Sequence, residues 1–143
     1  MTRVAGCELC ELSVPKLFEN DKFAVILADD ANYPGFARVI WKDHVREMSD
    51  LADGDRLLVN DAVWKLEQAV REVMRPLKVN VASLGNVVPH LHWHVIPRYA
   101  DDAHFPAPVW AQAVRSTDQA VLAQRKALLP QLAEAITRKF ANG

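Results

Sequence analysis

Three of the chain's five histidines fall at alternate positions in His90-Leu91-His92-Trp93-His94-Val95-Ile96. The β-branched and aromatic residues among them predict a strand, with Pro97 marking its end. Strand side chains alternate between faces, so His90, His92 and His94 line one face while Leu91, Trp93 and Val95 pack the other. A lone strand histidine is ordinarily half-exposed or satisfied within the core. Three in register gain little from packing and repel when protonated. The row therefore points either to metal ligation or to acid–base and nucleophilic work on an anionic substrate.

A second chemical group stands near the N-terminus, where the only two cysteines, Cys7 and Cys10, form a C-x-x-C pair. In a reducing compartment such a pair reads as a metal clip or a redox couple before a structural disulfide. A thioredoxin-like role is weakly supported, because that motif follows a strand and opens a helix. The first residues lack an apolar signal region, and no apolar run approaches the roughly 20 residues of a bilayer span. A cytoplasmic protein that does not enter the membrane is expected. Lys plus Arg number 17 against 18 Asp plus Glu, for a net charge of −1. That balance argues against a general nucleic-acid surface and leaves room for a small anionic ligand held by local donors. A chain of 143 residues, 50% of them hydrophobic, suits one domain with a single core.

The elements that must position these groups follow from periodicity. Residues 16–19 and 22–28 are two strands split by Asn20-Asp21, a plausible hairpin turn. The second is apolar on both faces, so it is central and buried. Asp29 to Gly35 is dense in turn formers and forms a loop. Residues 37–41 give the next strand, paired antiparallel with the one before, since the connection is too short for a helical crossover. From about Asp55 to Arg75, Val59, Ala62, Val63, Leu66, Val70 and Val73 keep helical spacing. Asp53 or Asp50 caps this main helix and Pro76 stops it. Residues 78–83 form a strand, and Gly85-Asn86 bends the chain toward the histidines. Residues 99–110 read as a loop: a tail over the sheet edge, a flap or a dimer contact. Residues 117–140 are helical, with Pro130 implying a kink or two successive helices.

The pattern His-φ-His-φ-His-φ-φ, with φ apolar, is filled at all seven positions from 90 to 96. It resembles the signature of the histidine-triad family of nucleotide hydrolases and transferases. The order of parts agrees: a C-x-x-C pair, an apolar strand ending in Lys42-Asp43-His44 before a helix, then the triad. The likeness spans roughly residues 7–99 of a single domain, 1–143, and leaves 100–143 as an extension. It implies an α+β fold: a five-stranded antiparallel sheet with the main helix packed on it, here with a C-terminal helical extension, and a homodimer.

The resemblance also implies roles. His92 attacks the α-phosphate of a purine nucleotide, giving a nucleotidyl-imidazole that water cleaves, and His94 bonds the phosphate oxygens. An imidazole whose unperturbed pKa lies near 6.5 is largely neutral and nucleophilic at pH 7. Asn80, Gly85 and Asn86 face the phosphate. The next position often carries a hydroxyl in the family but is Val87 here, which removes one contact and puts the substrate preference in doubt. Asp29, or Asp30 beside it, binds the ribose, unless both are plain loop carboxylates. Some branches hold zinc on residues matching Cys7, Cys10, His44 and His90, a set suited to a closed tetrahedral site. The other state of those groups is free thiols beside a hydrogen-bonded His90.

The expected activity is hydrolysis at the α-phosphate of a dinucleoside polyphosphate or a nucleoside phosphoramidate. The family's transferases commonly carry Gln at the position of His94, so transfer ranks below hydrolysis. Two other readings compete. One is a nucleotide-binding or scaffolding protein with vestigial activity; the other is a catalytic metal centre held by all three histidines.

Overall fold

The computed structural model describes residues 1–141. Alternating apolar segments form β1 (Phe18–Glu19), β2 (Phe23–Leu27), β3 (Ala37–Trp41), β4 (Lys78–Ala82) and β5 (His92–Arg98). They make one five-stranded antiparallel sheet in the order β1-β2-β3-β5-β4. The α+β class read from the sequence is the observed one.

The odd-numbered side chains of β2, β3 and β5, from Phe23 and Val25 to Trp93 and Val95, face the main helix α1 (Asp53–Met74). Its stripe of Val59, Ala62, Leu66 and Val70 is almost wholly removed from water, each fully buried Val or Leu contributing roughly 1.5–3 kcal/mol. Arg75 ends the helix in a left-handed turn at φ 48, and Pro76 follows. The start differs from expectation. Ala52 holds the cap position without a side-chain bond, while Asp53 lies inside the first turn and pairs with Arg56. Asp50 is occupied elsewhere, closing a capping box with Glu47 on a preceding 3₁₀ turn.

The C-terminal segment is two helices, α2 (Gln119–Lys126) and α3 (Leu129–Ala141). Pro130 sits at the second position of α3, where no intrahelical N–H bond is required, so it starts a helix instead of kinking one. α3 packs Leu132, Ile136 and Phe140 onto α1 and the sheet, with Phe140 stacked on Phe18 at 4.9 Å. Residues 142 and 143, the end of the expected extension, lie outside the described residues.

The opposite face of the sheet carries Ile26, Arg38, Ile40, His92 and His94. An N-terminal arm covers part of it, seating Leu9 and partly buried Cys7 and Leu12 on Ile26 and Ile40. Two strand expectations are corrected here. β1 has only two residues, Phe18 and Glu19, although the Leu17 N–H just before it still bonds the Val25 carbonyl of β2 at 2.8 Å. The histidine strand begins at His92, not His90, and continues through Pro97 to Arg98. Pro97 lies beyond Val95, the last residue paired to β3, so its missing N–H leaves no gap in that ladder. Among the described residues no helix is long and apolar enough to cross a membrane.

Candidate active site and metal site

His90 precedes β5 in a tight bend, its N–H bonded to the Val88 carbonyl at 2.8 Å. The bend turns its ring away from the other two histidines. Its Nδ1 lies 3.5 Å from Cys7 Sγ, 3.4 Å from Cys10 Sγ and 3.2 Å from His44 Nδ1. Cys10 Sγ in turn lies 3.3 Å from His44 Nδ1. All four donor atoms fall within 4.8 Å of one another. Ligands around a tetrahedral Zn²⁺ with ordinary Zn–S and Zn–N bonds stand about 3.3–3.8 Å apart, so the cluster has the right size. The second nitrogen of His90, Nε2, donates to the Trp41 carbonyl at 2.5 Å. That bond puts the proton on Nε2 and leaves Nδ1 as a lone pair facing the thiols, the arrangement that orients a metal-ligating imidazole. Cys7, Cys10, His44 and His90 thus form a potential metal site that ties the arm to the sheet.

His92 and His94 remain together on β5, their rings 4.9 Å apart and edge-to-face. Nδ1 of His92 donates to the His90 carbonyl at 2.6 Å, which fixes its proton there and leaves Nε2 unprotonated. Both rings are largely buried, 8% and 6% exposed, yet both border a cavity of about 550 Å³. The arm residues Glu8, Leu9 and Leu12 wall one side of it and the Gly85–Val88 turn another. Ser83 anchors that turn by donating to the His92 carbonyl at 2.6 Å. Gly85 has φ +72, a conformation that strains any residue with a Cβ, so the turn exposes backbone where a side chain would otherwise stand.

Burial pushes the pKa of His94 from 6.5 down to about 4, helped by the neighbouring His92 and Arg38. The folded protein therefore holds this ring neutral. The unfolded chain binds more protons between these two values, so His94's contribution to stability is complete above about pH 6.5 and is lost as pH falls toward 4. Thermal melting across that range should show Tm falling with acidification, and His94→Phe should flatten the slope.

The other residues singled out from sequence are not all gathered at the cavity. Gly85 and Asn86 border it. Asn80 lies across from Ile96 on β4, with its amide oxygen accepting from Arg98 Nη1 at 2.6 Å. Asp29 borders a separate cavity of about 570 Å³ beside Leu17 and α2. Asp30 borders that cavity too, and its charge is felt at Arg38 on the histidine side. Val87 is 93% exposed at the rim of the histidine cavity and offers no hydroxyl.

Several residues of the site escaped the sequence reading. Trp110 meets His94 edge-on at 5.1 Å and lines the cavity, so part of the expected loop serves as its wall. Phe36 meets His94 from another side at 5.7 Å. Arg38 is paired with His94 across the β3–β5 ladder. The one sequence signal for it was a charge inside an otherwise apolar strand.

Five antiparallel strands, with two neighbouring imidazoles opening into a cavity and a third turned into a Cys₂His₂ cluster, define a histidine-triad architecture. The HIT domain family model matches residues 11–101, and the chain belongs to that family. A histidine-triad protein of Bradyrhizobium japonicum superposes with a TM-score of 0.69 at 28% identity, covering 87% of this chain and 89% of its own. A Zn-bound histidine-triad family protein of Mycobacterium smegmatis shares the fold at TM-score 0.55 and 23% identity, covering 90% and 94%. An AP-4-A phosphorylase of Mycobacterium tuberculosis is 31% identical over 78 residues, which is 50% of this chain and 40% of the relative. Family and relatives together place the chain among nucleotide hydrolases and transferases, a family that also has room for members without catalysis.

Proposed function

We propose that the protein is a nucleotide phosphohydrolase that cleaves at the α-phosphate through a nucleotidyl-His92 intermediate. The carrying observation is the His92–His90 hydrogen bond, which presents an unprotonated Nε2 beside a cavity. In this reading Nε2 attacks phosphorus, the N–P bond forms and the bond to the leaving group breaks. Water then attacks the same phosphorus, releasing the nucleoside monophosphate and restoring the imidazole. His94, neutral at pH 7, holds phosphate oxygens, and backbone donors of Gly85 and Asn86 hold others. Asn80, its amide oxygen committed to Arg98, has N–H groups left for the phosphate. Asp29 or Asp30 takes the ribose of a purine nucleotide, which requires the nucleoside to extend from the histidines past Arg38 toward the neighbouring cavity that both carboxylates border.

The Cys₂His₂ cluster is read as a structural zinc site, since two thiolates and two imidazoles fill all four positions. The ion, when bound, supplies a rigid clip and no open coordination position. Its paired thiols fit a reducing, cytoplasmic setting. Cys10→Ser should lower bound zinc from about one ion per chain to near zero. It should also lower stability by about 2–4 kcal/mol, because the ion no longer favours the folded state. Metal analysis and thermal melting check both. A homodimer is part of the same reading, with Leu57 and Trp64 of α1 and Val81 of edge strand β4 exposed apolar groups for the contact.

The function is tested by incubating the protein with diadenosine tetraphosphate and adenosine phosphoramidate and looking for a +nucleotidyl mass on His92. Turnover with the adduct supports hydrolysis. Tight nucleotide binding with no turnover of either compound would support the binding-protein reading, which the missing hydroxyl at Val87 favours.

A further inference from the structure

The three histidines of the row are oriented in two different ways. His90 donates from Nε2 to the Trp41 carbonyl, and His92 donates from Nδ1 to the His90 carbonyl. His94 has no such bond: its Nδ1 is shut off from water without a partner among the described residues. Packing therefore sets the angle of this ring. Three rings stand edge-on around it, His92 at 4.9 Å, Phe36 at 5.7 Å and Trp110 at 5.1 Å. His92 shares its strand and Phe36 immediately precedes β3. Trp110 alone comes from the segment that follows β5.

More structure holds Trp110 in place than its own burial explains. It is 51% exposed, so removal from water is a poor reason for its position. Yet it occupies the third place of a turn closed by the Ala111 N–H on the Pro108 carbonyl at 3.0 Å. The loop that carries this turn is tied at its base, where the Val114 N–H donates to the Ala103 carbonyl at 2.8 Å. Arg98 reaches in to the Ala107 carbonyl at 2.6 Å. Arg115 Nη1 donates to the Asp102 and Phe105 carbonyls at 2.7 and 2.8 Å. Val109, the residue before Trp110, packs with Tyr33, Phe36 and Ile96. A loop braced on both flanks presents the indole at its tip at a fixed height over the sheet.

Few charges face His94. His92 lies beside it on β5 and Arg38 opposite it on β3, while its partner on β4 is the uncharged Ala82. Glu8 and Glu11 border the cavity from the arm, and Glu8 and Asp30 act on Arg38 through their charge. Burial comes ahead of His92 and Arg38 among the causes that hold the ring neutral. The share of that burial supplied from beyond the sheet is the indole.

We propose that Trp110 is a positioning residue for the reaction: from its braced loop it fixes the His94 ring beside the phosphate and keeps water off the ring's outer side. The proposal rests on the hydrolase reading above, in which His94 holds phosphate oxygens. It is tested in wild type, Trp110→Ala and Trp110→Phe by following the His94 ring proton by NMR between about pH 4.5 and 8. His94→Gln assigns the signal. Turnover of whichever of the two test compounds is cleaved, AMP affinity and Tm are measured on the same proteins. Near pH 5 about a tenth of the wild-type rings should be protonated, rising to about half in Trp110→Ala as water reaches the ring. Turnover should fall about tenfold while AMP affinity changes less than about threefold, and Trp110→Phe should recover most of both readings. Tm should barely move, because the side chain is half in water. A His94 titration unmoved in Trp110→Ala overturns the proposal, since Trp110 would then serve only the ligand or the fold. A moved titration with unchanged turnover overturns it as well. If wild type turns over neither compound the hydrolase reading falls, and the titration still decides whether Trp110 governs the ring.

Discussion

If the proposed mechanism holds, His92→Ala is expected to lower nucleotide turnover by at least about 10³-fold and to abolish the covalent adduct, because in that mechanism it removes the atom that bonds to phosphorus. Few other groups at the cavity can replace it. His94 is held neutral but has no partner fixing its proton, its Nδ1 being buried without a hydrogen bond. Structurally the change is small. The ring makes one hydrogen bond, to the His90 carbonyl, and touches none of the four cluster donors. Metal content should therefore stay unchanged and Tm should move little. Steady-state kinetics, adduct mass and metal analysis on one preparation separate the outcomes. Retained turnover in the variant would remove His92 from the mechanism. Partial recovery on adding free imidazole would confirm that the missing ring is the cause.

Asp102→Ala should produce the largest loss of stability, roughly 3–5 kcal/mol, the range for breaking a buried ion pair from one side. Asp102 is 0% exposed and its partner Arg98 only 2%. The carboxylate accepts Arg98 Nε at 2.8 Å, the Tyr33 hydroxyl at 3.1 Å and the backbone N–H groups of Tyr99, His104 and Phe105. Burial alone would raise its pKa, but Arg98 and these N–H groups outweigh burial and hold it well below the usual carboxylate range. A depressed carboxylate pKa contributes stability above the unfolded value near 3.8 and loses it only as pH falls further. The ion pair thus survives the mild acid that titrates His94. Denaturant melts of Asp102→Ala and Asp102→Asn at pH 7 check the size. A loss under about 1 kcal/mol in both would mean the guanidinium finds water or another acceptor.

The two variants also show which parts of the molecule a sequence reveals. The sheet, α1 and the buried character of β2 were readable because each repeats an apolar period over several residues. The metal set was readable through a resemblance that fixes residue types at separated positions. The start of β5 was not, because the bend that His90 N–H closes on the Val88 carbonyl is local backbone geometry, and the cysteines its ring then meets lie some eighty positions earlier in the chain. Arg98 and Asp102 were missed for a similar reason. They are four residues apart on a strand end and a loop, where no periodicity brings them together, and Tyr33 joins them only through the tertiary fold. Arg38 was visible as an odd charge in a strand, but its register with His94 is a property of pairing. Asp29 and Asn80 were singled out by position in the family pattern, and nothing in the sequence tells that one borders another cavity while the other is bonded to an arginine.

The peptide unit between His90 and Leu91 belongs to two assemblies at once: its residue's ring enters the sulfur cluster, and its oxygen sets the proton of the neighbouring imidazole. A backbone carbonyl has no side chain by which the two duties can be adjusted separately. Any shift of the His90 ring on gaining or losing a metal ion is therefore passed to the His92 imidazole through one carbonyl, and specific activity measured against zinc content should reveal that coupling.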